Sequence, residues 1–313
     1  MTEPPRPHAS GPAAIKILAA CDSAFVQHLG VMLVSLLASN RGETFHVYLI
    51  TTADAGALRG LDEIEREYGC RIERLAIDGG AVADLPVAGP ISAATYLRLL
   101  MGDLLPPSVD RILYLDSDIV VTGPVGPLWR TDLGDDIAAA VIDEGFEGHR
   151  KLGLPPGAPY FNAGVLLIDL AKWRATDIGR RAIDVVRNER HRITWWDQCA
   201  LNAVLHGRWL PLDRKWNLQT HALGRHVGST VIVDQQGRER AEAAAIVHYT
   251  TSLKPWLYTM EHPLKDLYWR HLKTSPWKDY RPPDRYPHSI LCKMLERYCP
   301  PLLPPYLWLR RFA

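Results

Sequence analysis

The sequence is short of cysteine, of net charge and of long apolar runs. Its five cysteines, Cys21, Cys70, Cys199, Cys292 and Cys299, are odd in number, scattered, and include no C-x-x-C pair. That pattern suggests neither a disulfide framework nor a zinc site, and it fits a reducing cytosol. Thirty-six Lys and Arg oppose 35 Asp and Glu, a net charge of +1, which leaves no overall electrostatic drive toward nucleic acid. The longest apolar stretch, LGVMLVSLLAS from Leu29 to Ser39, falls short of the roughly 20 residues of a spanning helix. The amino-terminal MTEPPRPHASGPAA lacks the apolar segment of a signal peptide and reads as a disordered leader over residues 1–14.

What is present suits an ordinary globular chain: 313 residues, 47% of them apolar, suffice for a sizeable core. Short apolar runs alternate with helical patterns. IKILAAC, FHVYLIT and CRIERLAI read as strands, separated by a buried helix over Leu29–Leu37 and a capped, periodic one over Asp54–Gly69. SAATYLRLLMGDLL reads as a helix and RILYLD as the next strand. Further strands are expected in IAAAVID, YFNAGVLLIDLAKW, WLPLDRKWN and AAIVHYT, and helices in DIGRRAIDVVRNER and WWDQCALNAVLHG. This alternation predicts an α/β fold, a doubly wound, mostly parallel sheet covered on both faces. Ligands of such sheets bind beyond the carboxyl ends of the strands, where Asp22 and Asp116 fall.

RILYLDSDIVVTG sets two carboxylates, Asp116 and Asp118, between apolar runs. Two like charges held there need solvent or a cation, and hard carboxylate oxygens suit Mg²⁺ or Mn²⁺, which commonly hold substrate phosphates as well. D-x-D-x-V also fits the first motif of haloacid-dehalogenase-type phosphatases, but that motif closes the first strand of its fold. Here a strand–helix–strand–helix–strand half precedes it, as expected where that half binds a nucleotide and the aspartates carry metal to its diphosphate.

LAACDSAF, ISAATYLRLLMGDLLP, RILYLDSDIVVTGPVGPLWRTDLGD, YFNAGVLLIDLAKWR, WWDQCALN and VHYTTSLKPW resemble, in order and spacing, the retaining glycosyltransferases of family eight. These include bacterial lipopolysaccharide galactosyl- and glucosyltransferases and glycogenin. The resemblance runs from about Ile15 to Tyr280 and implies a GT-A-type fold with a Rossmann-like nucleotide-binding half. It implies Asp116, Asp118 and His248 as metal ligands, for Mn²⁺ with Mg²⁺ as the alternative, imidazole favouring Mn²⁺. Lys254 matches a diphosphate-binding lysine, and Thr251 stands where many members carry glycine. Ala20, Asp22 and Phe25 fall at the nucleoside position, with Cys21 where the family carries a second acidic residue, Asp22 to accept from uracil N3–H and Phe25 to stack. Ser117 lies between the paired aspartates. Arg98 matches an arginine that bridges donor sugar and phosphate. Asn162, Asp197 and Gln198 match residues that hydrogen-bond the sugar, with Asp143 a weaker candidate; Asp197 could instead cap a helix.

The resemblance thus implies hexosyl transfer, of glucose or galactose, from a UDP-sugar to a hydroxyl of a glycan or lipid-linked glycan. An amide such as Gln198 is a poor nucleophile, so same-face attack is expected, the departing phosphate oxygen taking the acceptor proton. The alternatives are a metal-dependent phosphatase and a catalytically silent UDP-sugar-binding protein. The sequence leaves oligomeric state open.

The chain divides on this reading into a catalytic domain over 15–271 and a tail over 272–313. From Arg270 to Ala313 there are nine Lys and Arg against three Asp and Glu, with seven aromatics and eight of the 24 prolines. Leu302, Leu303, Tyr306, Leu307, Trp308 and Leu309 sit beside Arg310 and Arg311. Such a mixture suits the headgroups of an anionic membrane, and the expected location is cytoplasmic, peripheral to the inner face of the membrane. The prolines argue against one long helix.

Overall fold

The computed structural model describes residues 14–75, 77, 82, 84–85, 93–228, 230–299 and 302. Most of the expected leader, and the tail residues from 303 onward, lie outside them.

The main sheet contains β1 (Ile15–Cys21), β2 (Phe45–Thr51), β3 (Arg71–Leu75), β4 (Arg111–Leu115), and, after a short β5 (Ile119–Val121) that leaves it, β6 (Ala138–Ile142), β7 (Phe161–Asp169) and β8 (Trp209–Pro211). Its order is β3-β2-β1-β4-β7-β6-β8. All neighbours run parallel except β7, which is antiparallel to both β4 and β6. Along β4, Leu113 and Leu115 join one core cluster while Ile112 and Tyr114 join the other. The period-two alternation therefore fills both faces, as expected for a sheet with no wet side.

Helix Val26–Ser39 is buried over most of its length, which is why its sequence is apolar all round. Helix Arg59–Tyr68 buries only Leu61 and Ile64 and ends at Gly69, whose φ of +66° closes it as a residue without Cβ can.

A second sheet was not expected from the sequence. After β9 (Leu218–Gln219), β10 (Gly224–Val227) and β11 (Thr230–Val233), strand β12 (Ile246–His248) pairs antiparallel with β5 and parallel with β9. The run AAIVHYT thus does not extend the main sheet. The run WLPLDRKWN is a strand only at Trp209–Pro211; a 3₁₀ turn follows at Arg214–Trp216, started by Asp213, whose side chain accepts from Lys215 N.

The expected helix over 92–105 is a 3₁₀ helix at Ala93–Leu100 followed by one α turn at Met101–Leu104. This difference matters for the site, because three residues per turn eclipse side chains at i and i+3 and so stack Thr95 over Arg98.

No structural break falls at residue 272. Leu272 is fully buried, and Trp277 and Tyr280 pack on the same core. The proline-rich stretch also contains a helix at Pro287–Tyr298, with proline in its first turn, where the missing N–H costs nothing. Among the described residues no helix is long and apolar enough to cross a membrane.

Candidate active site

The chain passes from the main sheet to the second sheet through Asp116–Asp118, between the end of β4 and the start of β5. His248 closes β12 opposite Ile119, one residue past Asp118. Pairing of the two short strands therefore fixes an imidazole beside two carboxylates more than a hundred residues away in sequence. Asp116 N donates to Gly164 O at 2.9 Å and Tyr249 N to Asp118 O at 3.1 Å, so both acidic residues have anchored backbones.

His248 Nε2 lies 3.1 Å from Asp118 Oδ1 and 3.8 Å from Asp116 Oδ2. One ligand atom from each of the three residues falls within 4.8 Å of the others. A Cβ at Gly164 would come within 2.7 Å of His248 Nδ1 and 2.8 Å of Asp116 Oδ2, so glycine keeps this cradle clear. Two half-buried carboxylates and a buried imidazole converging there fit a divalent metal cation.

Lys254 Nζ reaches Asp118 Oδ2 at 2.5 Å and Tyr249 O at 2.6 Å. Burial opposes the Asp118 charge, but Lys254 and His248 outweigh it and hold this carboxyl well below the usual carboxylate range. Arg98, almost fully buried, sits 3.0 Å from Asp116 Oδ1 and 2.8 Å from Asp197 Oδ2. Its Nη1 donates to Ala163 O at 2.7 Å, and its guanidinium carbon lies 4.4 Å from the Tyr114 ring centre. Burial works against the arginine charge, yet Asp116 and Asp197 more than compensate.

Thr95 Oγ1 donates to Asp197 Oδ1 at 2.7 Å, so the stacked Thr95 and Arg98 of the 3₁₀ helix clamp one carboxylate. Asp197 does not cap its helix; its side chain is committed to this clamp. Burial raises its carboxyl above the ordinary value despite Arg98 and Thr95. The preceding residue, Trp196, takes φ +33°, a left-handed conformation costly for a bulky side chain, at the turn that delivers Asp197 and Gln198.

Asn162 and Gln198 also meet: Asn162 Nδ2 donates to Gln198 Oε1 at 3.1 Å, and Gln198 Nε2 to Asp143 Oδ2 at 3.2 Å. Ser117 Oγ donates to Ala20 O at 3.4 Å, tying the paired aspartates to the end of β1. Phe25 stands edge-on to Trp256, ring centres 6.0 Å apart, two residues from Lys254. Among the described residues Asp22 and Thr251 are bonded locally, Asp22 to Ala24 N and Thr251 to Leu253 N. Sequence reasoning missed Thr95, Tyr114, Gly164 and Asn217. Asn217 carried a signal: an asparagine next to the apolar pair Trp216 and Leu218, fully buried, must hydrogen-bond inside the core.

A mostly parallel α/β sheet that hands its chain to a small second sheet through an acidic turn is the GT-A type of architecture. Known proteins agree. The family model described as "Glycosyl transferase family 8" matches residues 16–260. General stress protein A of Bacillus subtilis is 30% identical over 271 residues, covering 83% of this chain and 94% of that protein. The lipopolysaccharide 1,3-galactosyltransferase of Salmonella typhimurium is 30% identical over 268 residues, 82% of this chain and 77% of that one. The crystal structure of the galactosyltransferase LgtC with donor and acceptor sugar analogs superposes with a TM-score of 0.73 at 26% identity, covering 86% of this chain and 98% of LgtC. The chain belongs to glycosyl transferase family 8 and is a glycosyltransferase.

Proposed function

We propose that the protein transfers a hexose, glucose or galactose, from a UDP-sugar to a hydroxyl of a glycan or lipid-linked glycan. The observation that carries this reading is the convergence of Asp116, Asp118 and His248 beside Lys254, with Arg98 joining that cluster to Asp197. One end of the site then suits a diphosphate with its cation and the other a polyhydroxylated ring.

Asp116, Asp118 and His248 would hold Mn²⁺, which when bound supplies charge neutralisation to the leaving diphosphate. Lys254 exchanges its contact with Asp118 for a diphosphate oxygen. Phe25 offers a ring to the uracil and Asp22 an acceptor for its N3–H. Asp197, Asn162 and Gln198 receive the sugar hydroxyls, each of which both donates and accepts, so an unmatched one costs about 1–3 kcal/mol. In the transfer the bond between the anomeric carbon and the phosphate oxygen breaks, the acceptor oxygen bonds to the same face of that carbon, and the acceptor proton passes to the departing oxygen. Gln198, already held by Ala163 N, Asp143 and Tyr160, orients the ring instead of attacking it.

Relatives whose names specify lipopolysaccharide galactosyl- and glucosyltransferase activity favour a cell-surface glycan as acceptor. The basic, aromatic carboxyl-terminal segment favours work at the cytoplasmic face of an anionic membrane. A panel of nucleotide sugars scored for Mn²⁺-dependent hydrolysis tests the donor assignment, with UDP-glucose and UDP-galactose expected first. Preference for a GDP- or dTDP-sugar overturns the uracil reading; UDP binding without any turnover favours a silent sugar-binding protein.

A further inference from the structure

Between the metal cradle and the sugar pocket lies a buried chain of side-chain amides whose orientations can be derived from fixed backbone groups. Ala163 N–H points at Gln198 Oε1, 3.0 Å away, and Gly164 N–H at Asn162 Oδ1, also 3.0 Å away. A peptide N–H can only donate, so both contacted atoms are oxygens. Asn162 Oδ1 has a second neighbour, the side chain of Asn217 at 2.9 Å. Two carbonyl oxygens at that distance would repel, so Asn217 presents its NH₂ group there. Its Oδ1 is thereby turned to His248 Nδ1, 3.0 Å away, and an oxygen facing that nitrogen requires Nδ1 to carry the hydrogen. The lone pair of Nε2 is then left for the cradle, on the side of Asp116 and Asp118.

Donation runs one way along this chain, from His248 to Asn217, to Asn162, to Gln198 and on to the Asp143 carboxylate. Asn217 is fully buried and His248 and Asn162 nearly so, so none can rotate away without leaving a buried polar group unpaired. We propose that Asn217 is a positioning residue that serves both halves of the reaction. Its oxygen selects the His248 tautomer able to ligate a metal, and its NH₂ group holds Asn162, and through it Gln198, in the orientation offered to the sugar. A partner that fixes the second nitrogen of a ligating histidine commonly matters 10–100-fold in metal affinity or activity. Here the same carboxamide also touches the sugar side, so metal and sugar sites share one hinge point.

This assignment rests on the metal- and sugar-binding reading above, and two substitutions separate the functions of the two ends of the amide. Asn217→Leu keeps the volume and removes both contacts. Mn²⁺ titrated into the full chain with UDP present should bind on the order of 10–100-fold more weakly, with donor hydrolysis reduced as well. Asn217→Asp keeps an acceptor for Nδ1–H and removes the donor to Asn162. Its Mn²⁺ affinity should stay close to that of the parent while turnover of UDP-sugar falls on the order of 10–100-fold at unchanged UDP affinity. Folding of each variant is checked by its thermal transition; if Asn217→Leu does not fold, Asn217→Asp decides alone. A folded Asn217→Leu that binds Mn²⁺ like the parent, or an Asn217→Asp with parental turnover or with a loss of Mn²⁺ affinity as deep as that of Asn217→Leu, overturns the assignment and leaves the metal reading standing. A parent chain that binds no Mn²⁺ with UDP overturns both.

Discussion

Lys254 Nζ lies 2.5 Å from Asp118 Oδ2, joining the residue before β5 to the segment after β12 across 136 residues of sequence. On the proposed function, this ammonium and this carboxylate part when phosphate and metal arrive, each taking the counter-charge the other leaves. Thermal stabilisation by UDP should therefore require Mn²⁺ and vanish in Asp118→Ala, since a ligand that binds only the folded state raises stability by mass action. Lys254→Ala should keep the Mn²⁺ requirement and weaken UDP. Equal stabilisation of Asp118→Ala would remove this residue from the metal site.

Gln198 touches Asn162, Ala163 and Asp143, where the proposed function puts the sugar. Gln198→Ala is expected to slow transfer about 10²-fold, the scale of losing one well-placed donor in a reacting site, with Mn²⁺–UDP affinity nearly unchanged. Isothermal titration beside a turnover assay separates the two. Loss of UDP affinity as deep as that of Asp118→Ala would place Gln198 in the wrong pocket.

Trp277 fills a slot over two glycines: a Cβ at Gly60 would come within 2.7 Å of its ring, and one at Gly30 closer still. The segment beyond residue 272 is thereby keyed to the helices that flank β1 and β2. Trp277→Ala should cost about 3–5 kcal/mol, as for a large aromatic removed from a packed site, measured by denaturant unfolding. A change below about 1 kcal/mol, the range of a surface substitution, would show the slot to be dispensable.

His28 stacks on Trp256, ring centres 3.7 Å apart, and hydrogen-bonds Tyr268 OH at 2.7 Å. Burial pushes its pKa down to about 3, and does the same to His262. Unfolded histidine titrates near pH 6.5, so between about pH 6.5 and pH 3 the unfolded chain binds more protons and stability falls as pH falls. Each histidine contributes a loss of about 2 kcal/mol at pH 5. Denaturant midpoints at pH 7 and pH 5 check this, with a shallower decline in His28→Gln. A midpoint indifferent to pH over that range would rule out the buried neutral histidines.

Helix Pro287–Tyr298 exposes Leu291, Met294 and Tyr298, with Leu302 exposed beyond it. Basic residues outnumber acidic ones threefold from Arg270 onward. Full-length protein should pellet with phosphatidylglycerol vesicles at low salt and be released as salt rises, because screening shortens the reach of such charges. Removing residues after Asp284 should abolish pelleting and leave Mn²⁺–UDP binding intact. Vesicle binding by the shortened chain would place the membrane surface elsewhere.

The sequence alone determined the strand–helix alternation and which residue types stand in each motif, because both are written locally. Apolar runs of strand length mark buried strands, and D-x-D, F-N-A-G, W-D-Q and L-K-P-W are contiguous groups whose residue types can be weighed where they stand. The tertiary structure decided what lies between those groups. Nothing near His248 in sequence announces that β12 pairs with β5, and it is that pairing which sets imidazole against carboxylate. Nothing in SAATYLRLL announces 3₁₀ winding, which puts Thr95 and Arg98 on the same carboxylate. The partners of Asn217 became legible only in space, since they come from β7 and β12, at the two ends of its amide. Local pattern reflects burial and residue chemistry; hydrogen-bond partners across the fold depend on register and winding, which are settled only when all the elements pack together.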